Sequence, residues 1–249
     1  MNELEYKSFY ELVGKLNGWD FSKVKSTSEG AKWDFFREVS QRCKQSDILL
    51  DIGTGGGEAL ISIADTALLL VGIDESSAMV KTANENIKKL NKKNVRVLKM
   101  DSERISFPEL FFDVVCSRHA PFYADEVAKV LINDGIFLTQ QVSEGDKSNI
   151  KQAFGRGQAF GVPEGTLKDQ YISELSQAGF KDIQSFEYDA TDYFKTYEDL
   201  IFLLKYTPII PGFGTHENDF DILEKFIETY QTGKGIMTNS KRFMISARK

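Results

Sequence analysis

The sequence predicts an α/β fold built on a parallel sheet, and three features carry that expectation. Residues 48–52 form a short apolar run that stops at a glycine cluster, the pattern of a buried parallel strand feeding a tight turn. Helical residues from Glu58 to Ala64 follow at once, so the turn joins a strand to a helix. Further apolar runs at residues 67–73, 95–100, 112–117 and 136–142 are separated by helical or turn-forming stretches. In open α/β sheets, ligands sit at the carboxyl ends of such strands.

Composition bounds the possibilities. At 249 residues the chain is read as one domain, 1–249, with room for a full core. Hydrophobic content of 41% and charged content of 27% are ordinary for a soluble globular protein. The formal net charge of −6 argues against nucleic acid as the default partner, because phosphate binding needs concentrated Lys and Arg. Cys43 and Cys116 lack metal-type spacing and imply buried thiols in a reducing compartment. No metal site is expected. The opening residues lack the basic-then-apolar layout of a signal peptide, and the apolar stretch around residues 60–73 is broken by Asp65. These features predict a cytoplasmic protein with no membrane partner.

The ligand class turns on the glycine spacing. A dinucleotide fingerprint needs Gly-x-Gly-x-x-Gly, but from Gly53 its last position is Glu58 and from Gly55 it is Leu60. The phosphate-binding loop ending in Gly-Lys-Ser/Thr is also absent. What stands here is Asp51-x-Gly53-x-Gly55-x-Gly57, an acid at the strand end with glycines at alternate positions. This resembles the first motif of the class I S-adenosylmethionine-dependent methyltransferases. The resemblance implies a Rossmann-like, seven-stranded, mostly parallel sheet with helices on both faces, a helical insertion before the last strand, and S-adenosyl-L-methionine as cofactor.

Carried onto this sequence, the resemblance gives the methionine part of the cofactor to Asp51, Gly53, Thr54, Gly55 and Gly57. Asp74 ends the second strand, where a carboxylate accepts hydrogen bonds from both ribose hydroxyls, with Glu75 beside it. The rival role, capping the next helix, is better filled by Ser76 and Ser77. Met79 heads a helical stripe with Val80, Ala83, Ile87 and Leu90, facing either the adenine or the core. Asp101 follows the third strand where the resemblance places an acceptor for the adenine amino group, with Ser102 and Glu103 next to it; an ordinary turn is the alternative.

The fourth strand ends at Ser117, which the resemblance counts among the cofactor-binding residues, and Arg118, His119, Ala120, Pro121, Phe122 and Tyr123 follow as the loop that faces the transferred methyl in this family. The Asn/Asp-Pro-Pro-Tyr/Phe motif of many amino- and base-methylating enzymes is absent, which counts against exocyclic-amine methylation of nucleic acid. His119 is read either as a general base or as a residue that orients the loop. Arg118 is read as binding a substrate carboxylate or pairing with a neighbouring acid, and Tyr123 as lining the pocket.

The flanks are expected to cover the site. Residues 1–45 show aromatic helical spacing at Tyr6, Phe9, Tyr10, Val13 and Leu16, then Trp33, Phe35, Phe36 and Val39. They form a helical cap or lid, with Trp19 and Trp33 as candidate contacts, ahead of a cofactor-binding core at 46–145. Residues 155–165 are a glycine-rich connection bordering the pocket, and a helix from Thr166 to Ala178 stops at Gly179. A sixth strand is expected around 183–188 and an antiparallel last strand over 242–247, at or near the sheet edge. Between them, residues 189–240 carry nine aromatic side chains from Tyr193 to Tyr230, read as a helical lid insertion, a dimer contact or packing on the sheet.

The functional expectation is methyl transfer to a small-molecule acceptor, since the chain is acidic and invests its extra length in an aromatic cover. Residues 117–142 further resemble a bacterial group of unassigned substrate, some of whose members carry a ribosomal RNA label. An RNA acceptor is the alternative, supported by Lys88, Lys89, Lys92, Lys93 and Arg96. A non-catalytic S-adenosylmethionine-binding regulatory protein is another. Oligomeric state is not assigned.

Overall fold

A computed structural model describes residues 8, 9, 11–13 and 24–249. Tyr6, Tyr10, Leu16 and Trp19 lie outside the described residues. The parallel core comprises β2 (Ile48–Ile52), β3 (Leu69–Asp74), β4 (Val95–Lys99), β5 (Phe112–Arg118) and β6 (Leu131–Val142). To these are added β1 (Ser26–Glu29), β7 (Lys181–Phe194), β8 (Gln231–Thr232) and β9 (Gly235–Arg248). The order is β1-β7-β9-β6-β5-β2-β3-β4, with β8 paired to β9. The strand number therefore corrects the expected seven to nine, within the same fold class. Both additions, β1 and β8, are short and solvent-exposed, so they leave no apolar alternation to read.

Two apolar layers sandwich the sheet. On one face α1 (Phe35–Arg42), α2 (Glu58–Ser62) and α3 (Ser77–Lys89) cover Leu49, Leu70, Val97, Val114 and Leu138. Asp34 caps α1 by accepting from the Arg37 N–H at 2.8 Å, and Phe35, Phe36 and Val39 are its buried stripe. On the other face α4 (Ala124–Val130) and α6 (Thr166–Gln177) bury Phe112, Val115, Phe137 and Phe243. Gly179 follows α6 at φ +88, the left-handed conformation that ends a helix at low cost in glycine.

Strand bounds differ from expectation on this side of the sheet. Asn133-Asp134-Gly135 lies inside β6 rather than before it. The β5 register passes from Phe112↔Leu131 to Val114↔Ile136, so the turn-like tripeptide is a bulge with Asp134 at φ +62. β9 is antiparallel as expected, but it lies between β6 and β7. β7 and β9 pair as a long antiparallel ribbon, so residues 189–194 and 235–240 are strand. The helical part of the insertion narrows to α7 (Tyr197–Tyr206), opened by a Thr196–Asp199 capping box, and α8 (Asp219–Tyr230).

Most of the insertion's aromatic residues do not face the sheet crevice. Phe194, Leu200, Leu204, Ile210, Phe213, Leu223, Phe226 and Ile236 pack together with Ile150 and Phe154 of α5 (Ser148–Phe154), making a third core of their own. Phe226 is 2% exposed at its centre. Phe226→Ala should cost about 3–5 kcal/mol, the scale for emptying a buried aromatic site. Hydrogen exchange should then accelerate in α5, α7 and α8 before the parallel core; a uniform loss across both regions would show that they melt as one unit.

Candidate active site

The glycine turn after β2 is built by three hydrogen bonds to the end of β3. The N–H groups of Gly53 and Thr54 donate to Ile73 O at 2.9 and 3.1 Å, and Gly55 N–H donates to Asp74 Oδ2 at 2.9 Å. Gly53, Gly55 and Gly57 all have positive φ, at +74, +58 and +78. Gly53 is further constrained because a Cβ there would lie 2.2 Å from Ala120 Cβ. Gly55, by contrast, faces open space. The turn thus packs against the loop after β5 while keeping one flank clear for a ligand.

Asp74 uses its other oxygen to accept from Ser76 N–H at 2.9 Å. A carboxylate has about four lone-pair sites, so each oxygen keeps one for a further donor. Burial raises its pKa, the two backbone N–H bonds oppose that rise, and the Glu75 and Glu11 charges add to it. Glu11 comes from the N-terminal segment, accepting from Ser76 Oγ at 2.6 Å, which places that segment beside the end of β3. Ser76 also caps α3 through Met79 N–H, and Met79 is buried in the first turn.

Asp51, 2% exposed, lies under the turn and accepts from the Cys116 thiol at 3.4 Å. Burial pushes its carboxyl from 3.8 up to about 6, with Thr54 and Cys116 opposing that rise, Asp74 adding to it, and Arg118 lowering it. The Thr54 hydroxyl is the one buried side-chain polar atom among the described residues without a well-formed hydrogen bond, although its closeness to Asp51 tempers that carboxyl. At the next strand end, half-buried Asp101 accepts from Glu103 N–H at 2.9 Å, with Ser102 between them. The Tyr123 hydroxyl donates to Glu103 Oε1 at 2.5 Å, tying this loop to the one after β5.

The loop after β5 is held rigidly. Ala120 O accepts from Ser117 Oγ at 2.9 Å and from Gln141 Nε2 at 2.8 Å, while His119 N–H donates to Gln140 O at 2.8 Å with His119 at φ +57. Trp33 Nε1–H donates to Gln140 Oε1 at 2.7 Å, and Gln140 Nε2 lies 3.0 Å from His119 Nε2. Indole only donates, so it fixes the amide orientation and leaves the Gln140 NH₂ to donate to the imidazole. His119 Nε2 therefore carries a lone pair and Nδ1 the proton. The ring lines the open cleft but is crowded by protein. Burial, then the Arg242 and Arg118 charges, push its pKa well below 6.5. Of the two readings of His119, the geometry favours the orienting one, because the nitrogen that would act as base is already engaged.

Sequence reasoning missed three neighbours of this loop, Gln140, Tyr188 and Arg242, and also Glu11 beside the end of β3. Arg118 on β5, Gln140 on β6, Arg242 on β9 and Tyr188 on β7 come from four adjacent strands, and the Trp33 and Tyr188 rings meet at 4.5 Å. Only the Gln140–Gln141 pair left a trace in the sequence, as two amides ending an otherwise apolar strand. Farther on, a cavity of about 250 Å³ lies past the end of β6, lined in part by Glu144, Lys151, Gln158, Leu167 and Ile209. None of the nominated site residues lines it. Its charged groups are satisfied internally: Lys151 donates to Glu144 O and Gln158 O, and Glu144 accepts from Gly165 and Leu167 N–H. Among the described residues no His, Cys, Asp or Glu cluster could hold a metal ion.

The electrostatics give two expected outcomes. The folded protein binds Asp51's proton more tightly than the unfolded chain, so stability falls as pH rises from about 4 through 6. Asp51→Asn should therefore stabilise the ligand-free protein by roughly 2–3 kcal/mol at pH 7, a gain that fades on acidification; denaturant titrations at two pH values measure it. The His119 Cε1–H resonance should stay flat in NMR between about pH 8 and 6. A sigmoid centred near the ordinary imidazole value would contradict the hydrogen-bond assignment.

Comparison with known proteins agrees with this geometry. Residues 50–139 match the family model described as a methyltransferase domain. The chain is 30% identical over 103 residues to the uncharacterized methyltransferase YcgJ of Bacillus subtilis (strain 168), covering 39% of this chain and 41% of that protein. It is 24% identical over 162 residues to the malonyl-[acyl-carrier protein] O-methyltransferase of Geobacter sulfurreducens, covering 58% and 60%. The matches thus span about two-fifths and three-fifths of the lengths of these relatives. The crystal structure of YcgJ superposes with a TM-score of 0.62 at 18% identity over 86% of this chain and 97% of that one. A functionally unknown protein from Deinococcus radiodurans R1 gives 0.62 at 15% identity over 97% and 99%. With the alternate-glycine turn, the acidic strand ends and the strand order in place, residues 50–139 are similar to a methyltransferase domain and the chain shares the fold of YcgJ.

Proposed function

We propose that the protein is an S-adenosylmethionine-dependent methyltransferase acting on a small-molecule acceptor. The observation that carries the reading is the crevice itself, where the clear flank of Gly55 and the Asp74 carboxylate with lone pairs to spare meet. Those features fit a cationic nucleoside: Asp51 and the turn Gly53–Gly57 hold the methionine part, Asp74 with Glu75 the ribose, and Asp101 with Ser102 and Glu103 the adenine, beside Met79. S-adenosylmethionine supplies a methyl already activated on a sulfonium, so the protein's task is alignment and exclusion of water. Ser117 and Gln141 fix the loop that presents Arg118, His119 and Tyr123 to the acceptor. The N-terminal segment, brought to Ser76 by Glu11, covers the nucleoside side, and Ile209 brings the insertion to the cavity beyond β6.

A small acceptor is favoured over RNA by where the positive charge lies. Lys88, Lys89, Lys93 and Arg96 are exposed at the far end of α3, which starts beside Asp74 and runs about 20 Å away from the crevice. Lys92 is engaged by Asp65 at 3.1 Å. That patch gives the crevice itself no phosphate-binding charge. Among the described residues no helix is long and apolar enough to cross a membrane.

Calorimetric titration with S-adenosylmethionine and its demethylated product, followed by labelled-methyl transfer into fractionated cell extract, tests this. Asp74→Ala should weaken nucleoside affinity by about 1.5–3 kcal/mol, the scale of hydrogen bonds to a charged group. Unchanged affinity in a folded Asp74→Ala protein removes the ribose assignment, and binding of NAD or ATP in preference to the nucleoside removes the whole reading.

A further inference from the structure

Arg118 differs from the other crowded cations of the chain. Lys147 pairs with Asp192, Arg242 with Asp146 and Arg156 with Asp219, while Lys151 donates to two carbonyls. The Arg118 side chain has no ion pair and no hydrogen bond among the described residues. Its guanidinium lies 6.0 Å from the Phe36 ring centroid, and the residue is exposed at the end of β5. A guanidinium has five N–H donors and keeps its proton, so its crowding beside Arg242 leaves charge and donors unanswered. Burial and Arg242 both press its pKa down, against the pull of Asp34, Tyr188 and Asp51. The loop that follows it is locked by Ser117, Gln140 and Gln141, so the backbone from which the group projects is fixed.

We propose that the methyl acceptor carries a carboxylate and that Arg118 docks it, beside the aromatic pair Trp33 and Tyr188. The proposal rests on the methyltransferase reading and names the substrate class for that site. A planar monoanion suits the guanidinium fork. A phosphate dianion suits the place less well, because Asp34 and Asp51 lie near enough to act on Arg118 and would repel the second charge. The docked carboxylate is an anchor and not the methylated atom. Methylation would neutralise it, and a guanidinium holding it stabilises the charge that must be lost. Another atom of the acceptor therefore faces the sulfonium.

The test uses the whole protein with labelled S-adenosylmethionine and a metabolite extract in two forms, untreated and with its carboxylates capped as methylamides. Label should enter a compound of the untreated extract and not its capped form. Arg118→Gln should leave nucleoside affinity within about twofold and lower kcat/KM for that compound about 10–100-fold through KM, the scale of one charge-assisted contact. Equal labelling of the capped extract, or an unchanged kcat/KM in Arg118→Gln, overturns the carboxylate proposal and leaves methyl transfer standing. Nucleoside binding with no label in either extract overturns both. The capped-extract arm uses the wild-type protein, so it decides even where the variant fails to fold.

Discussion

The crevice depends on one bond, from Gly55 N–H to the Asp74 carboxylate. It joins the turn after β2 to the end of β3 and sets the backbone of that turn in a conformation that side chains resist. With Gly53 seated against Ala120, the same turn is also fitted to the loop after β5. Three strand ends are thus fixed relative to one another before any ligand arrives. That arrangement has an energetic cost, visible in the raised pKa values of Asp51 and Asp74. Carboxylates destabilised by burial are well placed to welcome a cation, which would restore their charged forms.

The sheet divides its labour between two halves. β2, β3 and β4 carry, at or just past their carboxyl ends, the acids that suit a nucleoside, whereas β5, β6, β9 and β7 carry Arg118, Gln140, Arg242 and Tyr188. The His119–Gln140–Trp33 chain stands at the seam. It ties the loop after β5 to the residue just before the Asp34 cap of α1, so ring orientation and protonation are both set by packing. The third apolar core, outside both halves, gives the insertion a buried centre shared with α5 and the β7–β9 ribbon.

What was legible in the sequence was local backbone chemistry. Glycine at 53, 55 and 57, an acid ending each of three strands, and Ser76 before a helix all announce themselves within a few residues. The second half of the site was not legible because it is assembled across strands far apart in the chain. Arg242 and Tyr188 pair across β9 and β7, and no local pattern marks either. β1 was unreadable because an exposed edge strand of Ser, Thr, Ser and Glu has no buried face to impose alternation. The aromatic content of residues 189–240 was seen, but its destination was not. Helical spacing shows that a face is apolar without saying which partner it meets, and here much of it packs on its own α5, α7 and α8 core.

The account stands on the crevice being shaped for a sulfonium nucleoside. Amide hydrogen exchange with and without S-adenosylhomocysteine tests this most directly. Slowed exchange should concentrate at residues 53–57, 74–76 and 101–103, with NAD giving no such pattern. Protection confined to the cavity past β6, or protection of the glycine turn by NAD alone, would contradict it.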